Sequence, residues 1–224
     1  MKVTAVYGQQ HHGNTYRLTQ LLLAELDCRQ DELWEFTVNG MGQCVGCTQC
    51  IMEDEQLCPH RSQTEPIIMA MEQSDVIILA SPNYCFGMTG QLKTFCDHMA
   101  YRWMVHRPYD MRGKIGIAVT TAAGAGAAAA AKAICTQFGW WSVGRCYKLT
   151  CNIQAPDWEK IPPKRMQKIE RRVHKLAGRV NQSAGHAKPR IKTSVMFAIM
   201  RKMHGKGCWS DLERTYWETK LAKK

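Results

Sequence analysis

The chain has 224 residues, 45% of them hydrophobic, with 30 Lys+Arg against 19 Asp+Glu and 11 cysteines. That length buries one sizeable core with room for an appendage, and no apolar run approaches the ~20 residues of a bilayer-spanning helix, which excludes an integral helical membrane protein. Met1 to Pro156 holds 12 Lys+Arg and 13 Asp+Glu, whereas Asp157 to Lys224 holds 18 and 6, so the basicity belongs to the tail and sets a domain over 1–156 apart from an extension over 157–224.

In chain order, Val3 to Tyr7 is a short apolar run ending at Gly8 and reads as a strand. After the loop Gln9 to Gly13, Asn14 to Leu26 places Leu18, Leu21, Leu22 and Ala24 at helical spacing. Leu33 to Val38 alternates and reads as a second strand. Glu65 to Glu72 is a helix, and Asp75 to Ala80 is a β-branched apolar run of the kind found at the centre of a parallel sheet. A helix from Gly90 to Trp103, a strand over Lys114 to Thr121, an alanine-rich helix from Ala125 to Phe138 and a strand over Ser142 to Cys151 follow. Alternating elements of these lengths predict an α/β fold, a doubly wound parallel sheet of five strands.

Between the second strand and the next helix lie Cys44-Val-Gly-Cys47-Thr-Gln-Cys50 and Cys58. Three thiolates spaced by two residues on a tight loop converge, and a fourth closes the shell of a 4Fe-4S cluster. Gly46 lets the backbone fold closely beneath it, and Pro59 stiffens the exit. Zinc is the runner-up metal, because structural zinc favours two separated Cys-x-x-Cys knuckles. A set of plain thiols is the bland alternative, and Cys28, Cys85, Cys96, Cys135, Cys146, Cys151 and Cys208 are read that way. The opening residues lack the order of a secretory leader, so a cytoplasmic location with reduced thiols is expected.

Ligands of such a sheet bind beyond the carboxyl ends of its strands. Three loops should therefore converge there. Gly8, Gln9, His11, Gly13, Asn14 and Thr15 lead into a helix N-terminus, where unpaired N–H groups favour a phosphate, although Asn14 also suits a simple helix cap. Pro82, Asn83, Tyr84, Phe86 and Gly87 offer flat surfaces and free N–H groups to a ring with polar edges. Thr121 and Gly124 belong to a loop of small residues that admits a ligand close to the backbone. The first loop has neither the lysine of a P-loop nor the dinucleotide spacing.

The motifs Val6-Tyr7-Gly8 with Gly13-Asn14-Thr15, Ser81-Pro82-Asn83-Tyr84 with Gly87, Gly90-Gln91-Leu92-Lys93, Phe95-Cys96-Asp97 and the cysteine quartet together resemble the flavodoxin-like NAD(P)H-dependent FMN reductases, and more closely the iron-sulfur flavoproteins among them. The resemblance implies FMN, with its phosphate at Gly8 to Thr15 and its isoalloxazine against Pro82 to Gly87 and Thr121 to Gly124, and a homodimer or homotetramer. It implies NAD(P)H as reductant and a small-molecule or protein electron acceptor. Two departures stand out: Gln9-Gln10-His11-His12 replaces the Ser-Pro-Arg common in the family's phosphate loop, and alanines follow Gly124.

The extension reads as mainly helical. Met166, Ile169, Val173, Leu176 and Val180 recur at helical spacing within a helix over 164–182 that docks on the domain. Its basic face suits NADPH, an acidic partner or an anionic membrane surface. Besides the flavin oxidoreductase with a cluster, a cluster-free FMN or quinone reductase, a passive electron carrier and a tail-mediated membrane or polyanion binder are the competing readings.

Overall fold

The computed structural model describes residues 1–155 and 157–220; the boundary residue Pro156 and the end of the extension, 221–224, lie outside them. The elements run β1 (Val3–Tyr7), α1 (Asn14–Leu23), β2 (Leu33–Thr37), a short α2 (Gln49–Met52), α3 (Arg61–Gln73), β3 (Val76–Pro82), α4 (Gly90–His98), β4 (Ile115–Ala122), α5 (Ala127–Trp140), β5 (Arg145–Asn152), α6 (Pro163–Asn181), α7 (Ile191–His204) and α8 (Asp211–Lys220). All strand pairs are parallel, in the order β2-β1-β3-β4-β5. This is the expected flavodoxin-like order, whose reversal of direction falls between β1 and β3.

The central strands β1, β3 and β4 are buried along nearly their whole length, as runs covered on both faces must be. On one face, Leu18 and Leu22 of α1 meet Ile169, Val173, Leu176 and Val180 of α6. On the other, Ile67, Ile68 and Met71 of α3, Phe95 of α4, and Ile134 and Phe138 of α5 form the second layer. The first helix of the basic extension is thus part of the sheet's own packing. Gly116 of β4 sets the distance of α5, because a Cβ there would stand 2.8 Å from the Phe138 ring.

Several boundaries differ from those read in the sequence. The helix expected from Gly90 to Trp103 ends at His98 and continues as a 3₁₀ turn, Ala100–Arg102. The fifth strand starts at Arg145 rather than Ser142, because Ser142 has φ 61 and turns the chain. In α1, Leu23 is buried where Ala24 was expected. Cys135 and Cys146, read as ordinary thiols, are joined as a disulfide between α5 and β5, and Cys85 is exposed. No helix among the described residues is long and apolar enough to cross a membrane.

Candidate functional site

At the carboxyl edge of the sheet the three predicted loops are tied to one another around Thr121. The Thr15 and Thr121 hydroxyls share a buried hydrogen bond of 2.6 Å, which fixes the start of α1 against the end of β4. The Asn83 N–H donates to the Thr121 carbonyl (2.7 Å) and its side-chain amide donates to the Ala125 carbonyl (3.2 Å), which joins the β3–α4 and β4–α5 loops. Gly126, with φ 95, lies so close to Asn83 that a Cβ would stand 2.6 Å from its Nδ2.

The first loop is built for close backbone approach. Gly8 N–H donates to Ala80 O (2.8 Å), and Thr89 Oγ1 donates to Gly8 O (2.6 Å). A Cβ on Gly8 would stand 2.5 Å from that Oγ1 and 2.8 Å from Leu92 Cβ. Asn14 is not the cap: Gly13 occupies that position, without any side-chain cap bond. The helix's opening bond runs from Arg17 N–H to Gly13 O (3.0 Å), so the amides of Asn14, Thr15 and Tyr16 have no intrahelical acceptor. Such amides, together with the helix dipole, suit an anion. Gln9 is buried, and among the described residues neither Oε1 nor Nε2 of its amide has a partner; the buried Oδ1 of Asn83 is likewise unpaired there. Buried amides left open in this way cost about 1–3 kcal/mol each unless a ligand satisfies them, so these loops fit a flavin mononucleotide with a polar ring edge and a phosphate. His11 is exposed and its ring lies beside Gly13, while His12 stacks on Tyr16 at 3.9 Å.

Tyr84 and Gly87 exchange backbone hydrogen bonds of 3.0 and 2.9 Å, and between them Cys85 (φ 49) and Phe86 (φ 60) both adopt left-handed conformations. Each such residue costs about 1 kcal/mol or more. The turn leaves Phe86 71% and Tyr84 50% exposed, as flat apolar surfaces beside the three tied loops.

The cysteine loop stands on the same edge. Val38 N–H donates to Tyr7 O (3.0 Å), and Asn39 Nδ2 donates to Gln10 Oε1 (3.0 Å), so the segment leading into the cysteine loop is hydrogen-bonded to β1 and the β1–α1 loop. Gly46 (φ 69) and Thr48 (φ 60) turn the backbone through left-handed conformations. Cys44 and Cys47 are exposed, Cys50 and Cys58 half-buried. Burial, then the sulfurs of Cys58, Cys44 and Cys47, push the Cys50 thiol up to about 11, against the pull of Arg107. All four sulfurs therefore lie in one electrostatic neighbourhood.

Beneath them are groups the sequence reading missed. Arg107, 2% exposed, donates to the carbonyls of Ile51 (2.8 Å) and Cys50 and to Glu55 Oε2 (2.9 Å). Arg102, equally buried, donates to Glu55 Oε1 (3.1 Å) and to the Tyr109 hydroxyl, with its guanidinium over the Tyr109 ring. His98 donates from Nε2 to Gly42 O (2.7 Å), which leaves Nδ1 facing Cys58 Sγ at 3.9 Å. Two buried cations and a histidine thus underlie the cysteine loop, and the Arg107 charge pulls the Cys50 thiol toward its anionic form. No local spacing signals them, because Arg102 and Arg107 reach the loop from about fifty residues away.

Residues 1–150 match the family model described as NADPH-dependent FMN reductase. An iron-sulfur flavoprotein of Archaeoglobus fulgidus is 32% identical over 127 residues, 55% of this chain and 56% of that protein. An iron-sulfur flavoprotein of Methanocaldococcus jannaschii is 30% identical over 130 residues, 55% of this chain and 63% of that protein. The chain thus matches less than two thirds of the length of these curated relatives. Among solved structures, an FMN-dependent NADH-azoreductase of Bacillus anthracis in complex with FMN superposes with TM-score 0.60 at 10% identity, covering 81% of this chain and 100% of that one. A flavodoxin, WrbA-like protein of Agrobacterium tumefaciens gives 0.51 at 15% identity, covering 82% and 99%. The fold, the three tied loops and the match over residues 1–150 show that this chain belongs to the NADPH-dependent FMN reductase family.

Proposed function

We propose that the protein is an FMN oxidoreductase that takes electrons from NAD(P)H and passes them through a 4Fe-4S cluster to a small-molecule or protein acceptor. The observation that carries this reading is the hydrogen bond from Asn39, which leads into the cysteine loop, to Gln10 of the β1–α1 loop at 3.0 Å, which supports a cluster and a flavin held side by side on one sheet edge. Bound FMN supplies hydride acceptance and single-electron release, and a cluster on Cys44, Cys47, Cys50 and Cys58 takes one electron at a time.

The chain's own part is positioning. The amides of Asn14 to Tyr16 would hold the phosphate, and Gln9, Asn83, Tyr84, Phe86, Thr121 and Gly124 would line the ring site. Arg102 and Arg107 stabilise negative charge under the cysteine loop. Three ligands from one run and a fourth from outside it favour a cluster over zinc, which prefers two separated Cys-x-x-Cys knuckles. Exposed Phe86, Tyr84 and Val45 at this edge suit burial against a second subunit in a homodimer or homotetramer. In the tail, Ile191, Val195, Ile199 and Met203 form an exposed stripe on successive turns of α7, and with Lys192 and Lys202 beside it that stripe suits an anionic surface.

Anaerobic purification with assay of flavin, iron and sulfide tests the reading. The wild type should hold all three, and Cys47→Ser should keep flavin while losing iron and sulfide. Iron and sulfide absent from the anaerobic wild type, or unchanged by Cys47→Ser, would remove the cluster from the account.

A further inference from the structure

The extension contains a second cluster of metal-binding side chains that neither the flavin nor the cysteine quartet uses. His204 closes α7, Cys208 lies in the following turn, and Glu213 belongs to the first turn of α8. One donor atom from each lies within 4.8 Å of the others. His204 Nδ1 is 3.4 Å from Cys208 Sγ; a tetrahedral zinc with N and S ligands at about 2.05 and 2.3 Å requires a separation of about 3.6 Å. The pair therefore already stands at ligand spacing.

The surrounding groups orient the donors as they do around metal ligands. The His204 ring is stacked on Trp217 at 4.6 Å. Glu213 is fully buried, with Oε1 2.7 Å from His106 Nδ1 and Oε2 accepting from Trp209 N–H at 3.0 Å. Ser210 and Glu213 also form a helix-capping pair, Glu213 N–H to Ser210 Oγ at 3.3 Å, which fixes the carboxylate, and Cys208 Sγ donates to the His204 carbonyl at 3.4 Å, which fixes the thiol beside the His204 ring. A concavity of about 430 Å³, lined by Lys206, Arg214 and Glu218 among others, opens onto His204.

We propose that His204, Cys208 and Glu213 bind a zinc ion that clips the end of α7 to the start of α8. The mixed nitrogen, sulfur and oxygen set is one that zinc accepts. Binding replaces the Cys208 thiol proton, which leaves to water, and a dication held by one thiolate, one carboxylate and one neutral imidazole is net neutral, as a half-buried site requires. Water from the concavity completes the tetrahedron. His106 holds the Glu213 carboxylate in place and is a positioning residue. The clip fastens the extension to the segment around Met104 and His106, where Trp217 Nε1 already donates to His106 O (2.6 Å) and Tyr216 Oη to Pro108 O (2.5 Å).

The test uses the full chain carrying Cys44→Ser and Cys47→Ser, both exposed positions, so that the quartet cannot answer for the second site. After chelator treatment it is titrated with Co²⁺ and then Zn²⁺. The expected result is a stoichiometric thiolate-to-cobalt charge-transfer band, displaced by Zn²⁺ and abolished by adding Cys208→Ser, and a zinc-dependent rise in Tm that the same substitution removes. His106→Gln should weaken affinity by about 10–100-fold while keeping the band. No thiolate band in the parent, or a band that survives Cys208→Ser, would overturn the site.

Discussion

The hydroxyl pair Thr15–Thr121 is the joint between the phosphate loop and the loop after β4, and it allows a quantitative test. Both side chains are buried, at 3% and 4% exposure, and their 2.6 Å bond is the only one either hydroxyl makes among the described residues. Thr15→Val removes one partner with little change of volume and strands the Thr121 hydroxyl, which costs about 1–3 kcal/mol; Thr121→Val does the converse. The double substitution strands nothing and should fall near wild-type stability, so the cycle should show a coupling of at least about 1 kcal/mol. Denaturant unfolding of the flavin-free protein measures the stabilities, and FMN titration measures the loop geometry. All three variants should bind FMN more weakly, since each loses the tether that holds the start of α1 against β4. Additive stability losses with unchanged FMN affinity would refute the role given to this bond.

Gly8→Ala should destabilise by about 1–3 kcal/mol, because its Cβ would collide with Thr89 Oγ1 and Leu92 Cβ, whereas Gly90→Ala, with nothing within 4 Å, should be neutral or slightly stabilising; thermal unfolding of the pair checks this. Arg107→Met keeps bulk but leaves Glu55 and the Cys50 and Ile51 carbonyls short of a donor. About 3–5 kcal/mol should be lost, as for one partner removed from a buried pair, with iron content falling alongside. In the metal-free protein, alkylation of Cys50 should lag behind that of exposed Cys44 and Cys47 and should rise only as the pH approaches 11, the value to which burial and the neighbouring sulfurs push it. Equal rates at pH 8 would contradict that environment.

The sheet was legible because Val3–Tyr7 and Val76–Ala80 have a composition that only burial on both faces accommodates, and because the turns between elements carry Gly, Pro and Asn. The start of α3 was not, since a helix was expected only from Glu65 while it begins at Arg61, where Thr64 Oγ1 donates to the His60 and Arg61 carbonyls at 3.3 Å. The loops that form the candidate site were found from their residue types, but their joints were not. Thr15 reads as a polar cap, and only the packed structure shows its hydroxyl spent on Thr121. Arg102, Arg107 and His98 support the cysteine loop from remote positions, a relation that local periodicity does not contain. The same holds for Cys208, an unremarkable thiol in the sequence that folding places beside His204 and Glu213.

The most direct test of the central claim is anaerobic reduction of the flavin- and cluster-loaded protein by NADPH or NADH, followed optically and by electron paramagnetic resonance. The account predicts that the flavin absorbance bleaches and a reduced-cluster signal then appears, and that in Cys47→Ser the bleaching persists without that signal. A loaded protein whose flavin is not reduced by either nucleotide, or whose cluster stays oxidised while the flavin is reduced, would contradict it.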